Sequence, residues 1–354
     1  MVTCMYDVVI DLRDGGDWSL DLCYAGLVKN GLNVIDIPFK KKHREWFDVQ
    51  SGKITSDWGL ERRTLGFCEN KLTFEQSEID KIIKSDQVKR VWLDERLESF
   101  IKWKSLGLHL TNAEVIVVAG HDRFWNHSPE FVANLYGKNF KAMLLDNWYD
   151  RYSKLQFPVM RIGWSTNFDH YWSRPKENVD KQFDICFIGF NSHPDREHYI
   201  NHIQKKWGFL NNHIVLEKEN NSFSNFVSKD KMFNTMLRSK ICLNLRGAAD
   251  KGKTLRSYEI PYVGSFMLSQ RIEDPGLEND FKNFEEAVYF NNTKELDESI
   301  DYFIEYDFID KLIPNLKNEK RELIALNGLH KANNELSVKN RWKNVLEWLN
   351  YGCI

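Results

Sequence analysis

The densest chemistry in the chain lies between Leu243 and Gly264, which reads LNLRGAADKGKTLRSYEIPYVG. An apolar strand end runs into a loop of glycine and alanine, and a helix start follows. Arg246, Lys251, Lys253 and Arg256 fall within eleven residues. A helix beginning near Thr254 adds unsatisfied backbone N–H groups and the positive end of a dipole. Cations and N–H groups in one place suit a diphosphate. Glu259 lies one turn into that helix, where a carboxylate can accept the two hydroxyls of a ribose. Arg246, Lys253, Thr254, Arg256, Tyr258 and Glu259 are therefore the candidate nucleotide-diphosphate-binding residues. The plainer reading is a solvated basic loop with an i,i+3 pair between Arg256 and Glu259.

Gly247 to Thr254, GAADKGKT, also satisfies the spacing G-x-x-x-x-G-K-T of a phosphate-binding P-loop. It follows a strand, as such a loop should. It lies deep in the second half, however, and no apolar strand ending in Asp follows it to hold a magnesium ion. A nucleotide-binding or ATPase module of that type stays as the alternative.

Three spots in the first half could serve an acceptor or supply a base. Gly15-Gly16-Asp17 follows the first strand, and a glycine pair lets backbone approach a ligand. Asp17 could act chemically or simply cap the next helix. His121 and Asp122 follow a buried strand, where either could take a hydroxyl proton near neutral pH. A structural turn is the competing reading. Trp148, Trp164 and the His170-Tyr171-Trp172 run could stack on a sugar ring or pack a hinge. The basic run Lys40–Arg44 beside Trp46 could meet a phosphate-bearing acceptor or be a solvated face. His198 and His202 have i,i+4 spacing but no carboxylate placed as in a zinc motif, so no metal site is expected.

Elements that alternate between strand and helix must position these groups. The first half opens with a strand at Tyr6–Leu12, a helix at about Trp18–Lys29 with Gly31 as its C-cap, and a strand at Asn33–Pro38. Further strands are expected at Val91–Asp94, Glu114–Ala119, Ala142–Leu145 and Val159–Ile162. Helices are expected near 95–103 and 129–136, and residues 40–88 are hard to read. A polar stretch at 166–182 reads as a linker. The pattern restarts at Phe183–Gly189, with strands at His213–Leu216, Lys240–Leu245, Ser265–Leu268 and Ala287–Phe290. Helices end the chain. This is an α/β pattern of two Rossmann-like domains, expected to face a central cleft. Residues 1–165 form the acceptor domain and 183–335 the nucleotide domain. A C-terminal helix at 336–354 could pack back towards the first. In such sheets ligands bind outside the carboxyl ends of the strands.

Length and composition agree. The 354 residues suggest two domains at about 150 residues each. With 49 basic and 51 acidic residues the net charge is −2, which argues against a dedicated nucleic-acid binder. The 12 Trp, 13 Tyr and 23 Phe can fill large cores, which excludes global disorder. Six scattered cysteines without a C-x-x-C pair argue against a disulfide framework or structural zinc. Asp7 and Asp11 interrupt any signal-peptide core, and no apolar run is long enough for a membrane span, so the expected location is the cytoplasm.

The segments Ser239–Arg246 and Thr254–Leu268 resemble the nucleotide-sugar half of CgeB-like glycosyltransferases, a family of the GT-B fold. The carrying pattern is a strand with Asn, then an Arg-x-Tyr-Glu-Ile helix leading to a glycine, then an apolar strand. Phe183–Gly189 and the Asn340–Leu349 helix also fit. The resemblance implies a metal-independent transferase with no cofactor beyond a nucleotide-diphosphate sugar, a UDP-sugar first among them. It implies that Glu259 holds the donor ribose and that Arg246, Lys253 and Arg256 lie near the diphosphate. The acceptor could be a glycan, lipid, protein, small molecule or modified nucleic acid. A non-catalytic nucleotide-sugar-binding protein is a further alternative. One departure stands out. Many retaining enzymes of this fold carry a glutamate eight positions before the ribose glutamate, and here that position is Lys251.

Overall fold

A computed structural model describes residues 6–11, 18–38, 47–48, 53–54, 77, 81, 87–119, 128–145, 154–162, 165–166, 172–175, 179–217, 229–247, 253–272, 276–304 and 316–351. The chain divides into two compact units, Met1–His170 with Val338–Ile354, and Tyr171–Ser337. That division falls inside the polar stretch 166–182.

The first unit is built on a parallel sheet of six strands. They are β1 (Tyr6–Asp11), β2 (Val34–Pro38), β5 (Val88–Asp94), β6 (Glu114–Ala119), β7 (Phe140–Leu145) and β8 (Val159–Arg161), in the order β2-β1-β5-β6-β7-β8. Between β2 and β5 a short antiparallel pair joins β3 (Phe47–Asp48) to β4 (Lys53–Ile54). The central strands explain why the sequence reads as unbroken apolar runs. On β6, Val115 and Val117 enter one buried layer with Trp103, Tyr136 and Met143. Ile116 and Val118 enter the opposite layer with Leu20, Cys23, Leu27 and Trp342. A sheet covered on both faces has no polar side to alternate with.

Helix α1 (Trp18–Lys29) ends as expected at Gly31, whose φ of 80° suits a residue without Cβ. Gly31 N donates to Val28 O at 2.9 Å and Leu32 N to Leu27 O at 3.2 Å, which closes the helix end. Helices α2 (Leu97–Ser105) and α3 (Pro129–Tyr136) follow β5 and β6. Ser128 caps the second of these, its Oγ accepting from Phe131 N at 3.1 Å.

The second unit repeats the plan with five parallel strands: β9 (Phe183–Phe190), β10 (His213–Glu217), β11 (Ser239–Asn244), β12 (Met267–Gln270) and β13 (Val288–Phe290). Their order is β10-β9-β11-β12-β13. Helices α4 (Pro194–Lys206), α5 (Lys229–Leu237), α6 (Arg256–Val263), α7 (Gly276–Asp280), α8 (Thr293–Phe303) and α9 (Leu316–Asn333) surround it. Helix α7 is too short to show periodicity and is absent from the sequence-based expectation. Helix α6 starts two residues later than its pattern suggests. Every side chain from Ser257 to Val263 on it is buried. The last helix, α10 (Val338–Tyr351), returns to the first unit and packs on α1. A Cβ on Gly26 would sit 1.9 Å from Trp342 Cγ, so only glycine admits that indole. Trp342 also meets Trp92 edge-on at 5.7 Å between ring centroids.

Candidate functional site

In the second sheet the chain moves from β9 outward to β10, then crosses back to β11 on the other side. The carboxyl ends of β9 and β11 therefore part, and a crevice opens where a parallel sheet binds ligands. A cavity of about 210 Å³ occupies that place. Ile188, Val215 and Met232 supply apolar wall, and Arg196, Thr254, Arg256 and Glu259 supply polar groups. Apolar walls with a few convergent polar groups are the usual make-up of a small-molecule site.

Asn244, the last residue of β11, holds the crevice open in one shape. Its Nδ2 donates to Ser257 Oγ and to Ser269 Oγ, each at 2.9 Å. Its Oδ1 accepts from the Thr254 hydroxyl at 2.8 Å. One buried amide thus ties the strand end to the start of α6 and to β12. Arg256 donates through Nη2 to Ile188 O at 3.0 Å, and its Nη1 pairs with the Glu259 carboxylate. The Glu259 side chain is only 1% exposed, so its charge is held by this ion pair rather than by water.

Arg196, in the first turns of α4, reaches across the same crevice. Its Nη1 donates to Phe190 O at 2.6 Å, its Nη2 to Leu245 O at 3.3 Å and its Nε to Arg246 O. Burial first, and the nearby Arg256 charge second, bring this guanidinium down to about 10.

Thr254, Arg256 and Glu259 come together as expected. Arg246 stands beside them at the strand end: its N donates to Gln270 Oε1 at 3.1 Å and its Nη2 to Arg271 O at 3.3 Å. Its Nε lies 3.8 Å from Asp195 Oδ2. Lys253 and Tyr258 do not line the cavity. The fully buried Lys253 side chain pairs with Asp280 Oδ2 at 2.6 Å, and the Tyr258 hydroxyl donates to the same oxygen. The expectation that these two reach a diphosphate is corrected here: Asp280 on α7 draws both inward. The P-loop reading loses its lysine for the same reason, because that chemistry needs the ammonium at the phosphates. Gly15, Gly16, Asp17, His121, Asp122, Trp148 and Trp164 lie outside the described residues, as do Lys40–Arg44 and Lys251.

Other groups have structural places. Trp172 is buried in the second unit against Phe233 and Tyr262. His202 Nε2 meets Asp297 Oδ1 at 2.9 Å, and Lys206 meets Oδ2 at 2.8 Å. Cys23, Cys186 and Cys242 are buried, and none of the three is in a disulfide among the described residues. Among the described residues no helix is long and apolar enough to cross a membrane.

Sequence reasoning missed Arg196, Gln270 and Asp280. A lone arginine in a polar helix, or a Gln at a strand end, looks like ordinary surface until the topology brings it to the crevice. Asn244 carried one signal, as the asparagine of the strand in the family pattern.

Residues 196–347 match a family model described as glycosyl transferase-like. No curated protein matches the chain. The fold is similar to that of a glycosyltransferase from Rickettsia africae, 13% identical, with 98% of each chain covered and a TM-score of 0.58. It is similar to HepE from Anabaena, crystallised in complex with UDP, at 9% identity and a TM-score of 0.60, covering 98% of this chain and 100% of that one. Sucrose-phosphate synthase from Thermosynechococcus elongatus shares the fold at 9% identity, with 98% of each chain covered and a TM-score of 0.54. The chain thus carries a match to a glycosyl transferase-like family model over residues 196–347, and its two parallel α/β sheets give it the fold of these solved glycosyltransferases.

Proposed function

We propose that this chain moves a sugar from a nucleoside-diphosphate donor to an acceptor hydroxyl, with UDP as the nucleotide and without a metal ion. The observation that carries this reading is the crevice between β9 and β11. It sets the N-terminal end of α6, the Arg256–Glu259 pair and Arg196 around one cavity. Cations and a helix N-terminus can stabilise the charge that builds on a departing diphosphate, which is the task a metal performs elsewhere. Glu259 is the group for the ribose hydroxyls, and Arg246 and Arg256 those for the diphosphate. The HepE structures in complex with UDP and with UDP-glucose support UDP as the first nucleotide to try. The strand-Asn and Arg-x-Tyr-Glu pattern supports a CgeB-like relationship within the fold.

The acceptor domain is residues 1–165, and the reaction belongs in the cytoplasm. Asp122 or His121 serves as base if the reaction inverts, with Asp17 the further candidate. Gly15, Gly16, Trp148 and Trp164 meet the acceptor. These assignments rest on their positions just after first-unit strands, where ligands of parallel sheets bind.

Thermal unfolding with UDP, GDP, dTDP or ATP, in EDTA and then in magnesium, tests the proposal. A ligand that binds the folded state raises the melting temperature. Stabilisation by UDP in EDTA is expected. A response confined to ATP with magnesium would overturn the donor assignment. Hydrolysis of the donor sugar then separates a catalyst from a protein that only binds.

A further inference from the structure

Phe284 breaks two rules at one position. Among the described residues it alone, glycine apart, has a positive φ, 61°. That left-handed region crowds a Cβ, so glycine or asparagine normally fills it. The ring is also 53% exposed, so core packing does not repay the strain.

The turn that holds Phe284 is tightly bonded. Phe284 N donates to Ala287 O at 2.7 Å, Lys282 N to the Glu286 carboxylate at 2.9 Å and Tyr289 N to Asn283 Oδ1 at 3.2 Å. Helix α9 braces it from the side. Asn327 Nδ2 donates to Glu285 O at 3.1 Å, and a Cβ on Gly328 would lie 2.7 Å from Glu286 O. Strain kept under an exposed ring by a rigid turn points to a use for that ring.

Two further groups stand beside it. Lys320 Nζ, on α9, lies 5.9 Å from the centre of the Phe284 ring and 5.2 Å from that of Tyr302. It donates to the Tyr302 hydroxyl at 3.4 Å. Tyr302, near the end of α8, is 43% exposed, and Leu323, one turn on from Lys320, is 56% exposed. The turn leads into the amino end of the edge strand β13, whereas the crevice lies at the carboxyl ends of β9 and β11.

Exposed rings beside a hydroxyl and an ammonium suit a ligand with apolar C–H faces and hydroxyl edges, the surface of a sugar ring. The local charge decides which sugars. Glu285, Asp301, Glu319 and Glu322 are exposed beside these residues in the chain, against Lys282 and Lys320. Lys282 is already paired with Glu285 at 3.5 Å. An excess of carboxylates repels nucleic acid, acidic glycans and anionic lipid surfaces. Neutral hydroxyls hydrogen-bond carboxylates and ammonium groups alike.

We propose that Phe284, Tyr302 and Lys320 form a surface site for a neutral glycan chain, at the opposite end of the second sheet from the donor crevice. The site goes beyond the transferase reading and does not depend on it.

Native electrophoresis of the full chain through gels containing dextran, hydroxyethyl cellulose or galactomannan tests this, with and without UDP. Heparin gels supply the polyanion arm. The native protein should be retarded by at least one neutral polymer, equally in both conditions, and not by heparin. Phe284→Gly should lose about tenfold in affinity for that polymer, the range for one aromatic contact. Glycine relieves the left-handed strain, so the melting temperature of this variant should not fall below that of the native protein, and its stabilisation by UDP should be unchanged. Phe284→Tyr keeps a ring and should keep the retardation. Lys320→Gln changes an exposed helix position, so it reports even if Phe284→Gly does not fold, and it should weaken retardation about threefold. Retardation by heparin alone, by no polymer, or equally strong in Phe284→Gly and Lys320→Gln would overturn the proposal. So would retardation that UDP abolishes, which would put the sugar in the crevice. Failure of UDP to raise the melting temperature would remove the donor reading and leave the glycan result standing.

Discussion

Glu259 is asked to do two things at once. Its carboxylate is buried on Arg256, and it is also the group proposed for the ribose. Truncation would therefore mix a binding defect with the cost of stranding Arg256. Glu259→Gln keeps the shape and an accepting oxygen, and removes the charge. Uridine affinity should fall about tenfold, because hydrogen bonds to a charged acceptor are the stronger kind. Unchanged uridine affinity would remove Glu259 from the ribose site. Lys253 gives the opposite expectation. Its ammonium belongs to Asp280, inside the unit. Lys253→Met should cost about 3 kcal/mol of stability, as when one partner of a buried pair is removed. Adding Asp280→Leu should recover part of that loss, and UDP affinity should stay within about threefold throughout. Chemical denaturation and UDP titration of the two variants check this. A hundredfold loss of UDP affinity in Lys253→Met would put the lysine back at the phosphates and revive the P-loop reading.

Local chemistry fixes where a helix starts, and α8 shows the physics. Asn292 Oδ1 accepts from Glu295 N at 3.0 Å, and the Glu295 carboxylate accepts from Asn291 N at 2.8 Å. This reciprocal cap satisfies N–H groups that the helix cannot. The backbone hydrogen bond from Asn291 is the main reason the Glu295 carboxyl lies below its ordinary value of 4.5. Because the folded value is the lower one, the stabilisation is present above the ordinary carboxylate range and is lost as pH falls through it. Stability should therefore drop more steeply on acidification in the native protein than in Glu295→Gln, seen as melting temperature against pH from about 6 to about 3. Parallel curves would show that the cap adds nothing. Asn292→Ala should cost about 1 kcal/mol at neutral pH. The same logic separates what could be read from what could not. Glu114–Ala119 announces itself by a β-branched run, and the helix expected near 129–136 has those bounds in the structure. Helix α7 offers one turn and no period. The crevice was half legible: Arg256 and Glu259 lie beside each other in sequence, whereas Arg196 and Asn244 meet them only through strand order. Lys253 misled because a regular expression records spacing and not direction.

At the scale of the whole chain, the first unit is discontinuous in sequence. Its C-terminal helix α10 arrives after the entire second unit has been traversed, and it buries Trp342, Val345, Leu346 and Leu349 against the layer holding Trp92 and Leu27. Losing a buried Trp alone costs about 3 to 5 kcal/mol. A whole domain is stable by only about 5 to 15 kcal/mol. A chain ending at Ser337 should therefore lose the folded first unit, while the second, with its own sheet and core, persists. Hydrogen exchange read by mass spectrometry distinguishes the two. In the shortened chain, amides of residues 88–94 and 114–119 should exchange without protection. Those of 183–190 and 239–244 should stay protected and gain further protection from UDP, since the proposed donor groups all lie between Phe187 and Gln270. Native-like protection at 114–119 would show that α10 is dispensable to the first core. Loss of the UDP response with the second sheet still protected would show that donor binding needs more than the second unit's own residues.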